Sequence, residues 1–250
     1  YTSPKFRVDL TIDNKTYNYY SENGLSDFIE VIIKRNKWNP MFKPLKFIFD
    51  SKDYVTDGKP LIAQGEIILS FDNKPGDKIL AYTNRFKNIE GGSHVQGLKT
   101  AITSAINKYM EDNDKIPKKY EKMDVSASAI SNHTIALVSI TMKNPFFKNQ
   151  TKDSLLSTSI LGFVKSKMYN ILLNWLNANP READKIVKLV LNVCEANWAA
   201  KQAKNKVLGI NDKQNFASSS ISKRLNDCLS RNPEDCEVYI VEGESASVGS

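Results

Sequence analysis

The chain has 250 residues, 41% of them hydrophobic and 25% charged, and a formal net charge of +7. That composition excludes an intrinsically disordered chain and leaves room for one large domain or two modest ones. No apolar run approaches the ~20 residues that cross a bilayer. The opening YTSPKFRVDLTIDNK has neither the basic head nor the apolar stretch of a signal peptide, so a reducing, cytoplasmic setting with no membrane partner is expected.

In chain order, the first half predicts an α+β arrangement. Runs rich in β-formers at FRVDLTI, TYNYY, KFIFD, EIILSFD and KILAYTN are separated by turn residues such as Asn23-Gly24 and Pro75-Gly76-Asp77, and one antiparallel-rich sheet is expected from them. Between them LSDFIEVIIKRN predicts a helix from Leu25, with Ser26 as its N-cap. In EGGSHVQGLKTAITSAINKYMED, Leu98, Ala101, Ile102, Ala105, Ile106 and Tyr109 recur at helical spacing behind Gly91-Gly92. That pattern predicts a flexible loop feeding an amphipathic helix. SNHTIALVSITMKNP returns to a strand that Pro145 closes.

Two longer helices follow. Val164, Met168, Ile171 and Trp175 mark the first; Ile186, Val190 and Val193 with Val187, Leu191, Cys194 and Trp198 mark the second, which starts at Pro180-Arg181. Residues 206–235 carry little periodicity and are expected to be a linker, after which CEVYIV predicts the opening strand of a second domain.

Charge is unevenly spread. Residues 143–231 hold 15 basic against 6 acidic side chains, whereas 232–250 hold 5 acidic and no basic ones. Lys185, Lys188, Lys201, Lys204 and Lys206 lie on and past the end of the last helix. A field confined to one segment attracts a polyanion, because each phosphate neutralised releases counterions. A solvated helical face is the alternative reading.

Several familiar motifs are absent. There is no GxxxxGK[ST] phosphate loop, and GGSHVQG lacks the GxGxxG spacing. His94 and His133 have no evident nucleophile partner, and Cys194, Cys228 and Cys236 show no CxxC spacing, so structural roles are expected for all five.

Three segments occur together in order: GGSHVQGLKT at 91–100, NQTKDSLLS at 149–157 and VYIVEGESAS at 238–247. The ordered trio resembles the ATP-hydrolysing subunit of type IIA DNA topoisomerases, the gyrase B and topoisomerase IV B family. The resemblance implies a transducer domain of ribosomal-S5-like α+β fold over residues 1–205, a linker over 206–235 and the first strand of a Toprim domain over 236–250. It implies that Gln150 and Lys152 contact ATP, the lysine at the γ-phosphate. It implies that Glu242 acts in DNA cleavage, by holding Mg²⁺ or by moving a proton at the ribose 3′ oxygen. It also implies that Lys201, Lys204 and Lys206 contact double-stranded DNA.

Further partners implied are an upstream ATPase domain, the rest of Toprim with its Asp-x-Asp pair, a DNA-cleaving subunit that carries the tyrosine, and a second copy in a homodimer. The fragment alone is expected to be inactive. Glu244 stands where the family usually has Asp, and Ser247-Val248 replace its glycines, which points to a divergent, viral member working in a host cytoplasm. Apart from the resemblance, the residues leave a second class open: a non-enzymatic basic α/β module that binds nucleic acid or a partner protein.

Overall fold

A computed structural model of the chain describes residues 1–52, 54–56, 58–116 and 130–207, with side chains to Lys204. Tyr1–Trp198 forms one compact unit, and Ala199 begins a second.

The chain opens with a hairpin, β1 (Val8–Ile12) and β2 (Lys15–Tyr19), closed by Asp13 and Asn14 at φ 47° and 60°. Two successive positive φ values give the turn a twist that matches the strands. The hairpin is a sheet of its own, which corrects the expectation of a single sheet. β-formers specify a strand but not its partner, because ladder pairing depends on distant segments. Every hairpin residue is exposed, and the register sets Val8 against Tyr19 and Leu10 against Tyr17, so an apolar face is left uncovered.

Helix α1 (Leu25–Asn36) buries Leu25, Ile29 and Ile33 at spacings of four. Its N-cap is Gly24, not Ser26, which lies inside the helix. No side chain caps it, but Asp27 in the first turn fixes the approach: its carboxylate accepts from the Asn23 backbone N–H at 3.0 Å, the Asn23 side chain at 2.9 Å and the Ser21 hydroxyl at 2.8 Å. An acid that reaches back in this way pins the residues ahead of the cap.

Next come β3 (Leu45–Asp50), the short pair β4 (Val55–Thr56) and β5 (Lys59–Pro60), β6 (Ala63–Phe71), β7 (Lys78–Thr83), β8 (Phe86–Lys87) and β9 (Gly91–Gly92). Helix α2 (Ser93–Asp112), β10 (Thr134–Met142) and β11 (Ser154–Leu155) precede two long helices, α3 (Thr158–Ala178) and α4 (Pro180–Val207). The main sheet has the order β3-β6-β10-β7-β8. Within it only β7 and β10 pair in parallel, and α2 lies in the crossover between them, since parallel neighbours cannot be joined by a tight turn.

Period-2 alternation divides the core. Ile67, Leu69 and Phe71 of β6 and Ala136, Val138 and Ile140 of β10 face the large core with α2 and α3, while Ile68, Ile135 and Leu137 face α1. Burial on both faces explains why EIILSF and TIALVSI read as nearly continuous apolar runs. Where β6 ends, the Lys78 ammonium donates to Asp72 at 2.7 Å, and both side chains are buried. Burial pushes the Asp72 carboxyl up, but hydrogen bonds from the Lys74 N–H, the Lys78 ammonium and the Asn39 N–H outweigh it and hold the group below the usual carboxylate range. The His133 Nδ1 sits 2.8 Å from the Asp72 carbonyl oxygen.

Helices α2 and α3 pack closely through Gly97, where a Cβ would lie 2.6 Å from the Leu161 carbonyl oxygen. Helix α4 buries Ala183, Ile186, Val187, Leu189, Val190 and Cys194, and from Glu195 to Lys204 every side chain except Gln202 is exposed. The helix runs through Val207, so Lys201, Lys204 and Lys206 lie on it and not past its end. No helix among the described residues is long and apolar enough to cross a membrane.

Candidate functional site

The two motifs separated by about sixty residues meet in space. Gly91 and Gly92 are not a flexible loop: as β9 they pair in parallel with Ser154 and Leu155 of β11. Gly92 has φ 131° and ψ −161°, a region essentially reserved for glycine. A Cβ there would lie 2.3 Å from the Leu155 carbonyl oxygen and 2.4 Å from its nitrogen. Two of the glycines in GGSHVQG are therefore accounted for by close approach, Gly92 to β11 and Gly97 to α3.

Lys148–Asp153 form a loop whose ends are held by the Phe147–Leu155 bridge and by the bond from the Lys148 N–H to the Ser154 carbonyl at 3.0 Å. Inside it Asp153 organises the turn, accepting from Asn149 Nδ2 at 2.7 Å and Thr151 Oγ1 at 2.5 Å, while its own N–H donates to Asn149 Oδ1 at 3.0 Å. Side-chain bonds of this kind let a polar stretch hold a fixed backbone without a ladder.

The loop is tied down from outside by the β8–β9 connection. Asn88 Nδ2 donates to the Lys152 carbonyl at 2.7 Å, and the Glu90 N–H to the Asp153 carbonyl at 2.9 Å. The Lys148 ammonium pairs with Glu90 at 2.9 Å, and that hydrogen bond holds its pKa above the usual lysine value. Thr83 Oγ1 in turn donates to Asn88 Oδ1 at 2.7 Å, which fixes the amide. Asn88, Glu90, Lys148 and Asp153 were not among the site residues expected from the sequence. Asn149 and Asp153 flanking Gln-Thr-Lys are a turn signal that points to a built loop; nothing local marks Asn88.

Gln150 stands exposed at the loop, its side chain without a hydrogen-bond partner among the described residues. Lys152 has φ 60°, and its ammonium lies over the Phe86 ring at 3.6 Å from the centroid. Among the described residues no carboxylate forms an ion pair with it. An anion reaching this loop thus meets a half-buried cation that no carboxylate among the described residues pairs with, and an exposed amide, while Asp153 and Glu90 are engaged by Asn149, Thr151 and Lys148.

Behind the loop, His94 is fully buried in the first turn of α2, with neither ring nitrogen hydrogen-bonded. Burial lowers its pKa to about 4, so the ring is neutral. Far along α4, Lys201 and Lys204 are exposed. Within the first unit, Lys185 and Lys188 are exposed on α4, away from the face that Val190 and Cys194 bury. The side chain of Lys206 and all of Glu242 lie outside the described residues. No group of three His, Cys, Asp or Glu among the described residues can hold a metal ion.

Comparison with known proteins adds the context. A family profile described as DNA gyrase B matches residues 24–206, which is more than half of the chain. The chain belongs to the DNA gyrase B family. The DNA gyrase B protein of Chitinophaga japonensis is 28% identical over 254 residues, covering 98% of this chain and 50% of that protein. The chain thus spans about half the length of this gyrase B relative. Among solved structures, the 43K ATPase domain of Thermus thermophilus gyrase B in complex with an aminocoumarin superposes with a TM-score of 0.63 at 22% identity, covering 77% of this chain and 49% of that one. The topoisomerase IV ATP-binding domain of Francisella tularensis gives 0.56 at 23% identity, covering 73% of this chain and 46% of that one. The mixed α+β fold of this gyrase B family member is therefore shared with ATPase-region structures of the family.

Proposed function

We propose that this chain is the coupling segment of an ATP-dependent type II DNA topoisomerase, in which the Gln150–Lys152 loop reads whether the γ-phosphate of ATP is present. The observation that carries the reading is Lys152 itself: a cation on a built loop, with no carboxylate partner among the described residues, next to the exposed Gln150. ATP would supply the anion whose terminal charge is lost on hydrolysis. A point charge on a flexible stem gains most of its binding energy from that charge, so the contact weakens when the phosphate leaves. The loop is bonded through Asn88 and Glu90 to the β8–β9 connection, and through β9 to α2, so a pull on it acts on the sheet and on the long helices.

In this reading residues 1–205 are the S5-like transducer domain, 206–235 a linker and 236–250 the first strand of Toprim. The uncovered apolar face of the β1–β2 hairpin supports an ATPase domain packed there. Lys201, Lys204 and Lys206 would contact the backbone of double-stranded DNA. Glu242 would act in cleavage together with acids of the rest of Toprim and a partner subunit's tyrosine, in a homodimeric enzyme. The described residues hold no metal cluster, so the Mg²⁺ chemistry would rest on Glu242 and groups outside them.

The test is Lys152→Ala in the complete enzyme. ATP turnover should fall by about 10²-fold or more, the scale of losing one charged contact to a transferring phosphoryl group. Gln150→Ala should act in the same direction and less severely. Unchanged turnover in Lys152→Ala would remove the basis of the reading.

A further inference from the structure

Phe86 and Lys152 are 66 positions apart, and neither is a core side chain. Phe86 follows the two-residue turn Asn84-Arg85, whose φ values are 49° and 72°. Its partner across the β7–β8 hairpin is Thr83. The turn is itself locked, since the Asn84 amide donates to the Met142 carbonyl at 2.9 Å and accepts from the Met142 N–H at 2.8 Å. The Phe86 ring is therefore carried on a rigid element, yet it remains 52% exposed and is not a core side chain.

The Lys152 backbone is held just as firmly. Its N–H donates to the Asn149 carbonyl at 3.2 Å, its carbonyl accepts from Asn88, and its left-handed φ points the chain one way. What remains free is the four-carbon stem, and the Phe86 ring face takes up its end at 3.6 Å.

We infer that Phe86 is a positioning residue that holds the Lys152 ammonium ordered and unpaired for an incoming phosphate anion. The inference rests on the ATP-coupling reading above and deepens it. An aromatic face suits the task better than an acid. A carboxylate would order the stem equally well, but it would have to be displaced when phosphate arrives. The ring quadrupole attracts the cation from one side only and leaves its N–H donors on the far side free. Because a lysine stem is rich in rotamers, ordering it beforehand lowers the cost of binding.

The experiment uses the full-length enzyme that carries this chain and reads steady-state ATP hydrolysis. Phe86→Leu keeps the bulk and removes the quadrupole. The half-saturating ATP concentration should rise about two- to fivefold, the equivalent of one partly exposed cation–π contact, with most of the loss in KM and not in kcat. Phe86→Trp should restore values near those of the parent, and Phe86→Glu should be worse than Phe86→Leu, because it pairs the lysine. In the double variant with Lys152→Ala, Phe86→Leu should add nothing. Parent-like KM in Phe86→Leu, a lowered KM, or additive losses in the double variant would each overturn the inference while leaving the loop reading intact, provided Lys152→Ala alone is impaired. If Lys152→Ala alone is unimpaired, the coupling reading falls and this inference with it. Circular dichroism of Phe86→Leu and Phe86→Trp confirms that the comparison is made between folded enzymes.

Discussion

Gly92→Ala is the sharpest test of how the lysine loop is held. The substitution adds one carbon, and two separate costs follow. The backbone at φ 131° and ψ −161° lies where an L-residue costs about 1–3 kcal/mol. The new Cβ would also stand 2.3 and 2.4 Å from the Leu155 backbone, so β9 and β11 must part by about 1 Å. Parting them loosens the pairing at the two positions where β9 meets β11, each worth about 1 kcal/mol net. With the two paired positions counted, these give a loss of about 3–5 kcal/mol, a large share of the roughly 5–15 kcal/mol that holds an ordinary domain. No helix-propensity gain offsets it, because Gly92 precedes the first helical residue. Urea unfolding of the chain followed by far-ultraviolet circular dichroism measures the change, and hydrogen exchange at Lys152–Leu155 shows whether the loop is released first. A loss below about 1 kcal/mol, or unchanged protection at β11, would refute the claim that close approach is what requires glycine there.

Two further outcomes follow from the site. His94 is buried with a pKa of about 4, below its unfolded value of about 6.5, so the unfolded chain binds the extra proton. Its contribution is fully present above pH ~6.5 and is lost as pH falls toward ~4, by up to about 3 kcal/mol. In His94→Leu that part of the acid destabilisation should vanish from pH-dependent denaturation curves; an unchanged profile would place the acid sensitivity elsewhere. For DNA, neutralising Lys201 and Lys204 together to Gln should lower the slope of log affinity against log salt by about 1.8, equally for unrelated duplexes. A constant slope would mean that this end of α4 is a solvated face.

The helices were legible in the residues alone. Leu98 to Tyr109 and Ile186 to Cys194 recur with a 3.6-residue period, and a helix satisfies its hydrogen bonds within its own segment, so local pattern suffices. The strands were legible as strands through short, β-branched apolar runs such as Ile67-Ile68-Leu69 and Ile135–Ile140 bounded by turn residues. The motifs GGSHVQGLKT and NQTKDSLLS pointed to a family and to Gln150 and Lys152. Their physical meaning needed the fold. Sheet partners are chosen between distant segments, which is why the β1–β2 hairpin stands apart and why Gly91-Gly92 is a strand and not the flexible loop expected. Ser26 looked like a cap, yet Gly24 holds the position, because a cap is defined by backbone geometry and not by residue type. The contact of Lys152 with Phe86 and the clamp from Asn88 depend on three-dimensional proximity across more than sixty residues. Local propensity carries no trace of such contacts; they exist because β10, inserted between β6 and β7, sets where the β7–β8 turn ends relative to the loop that follows it.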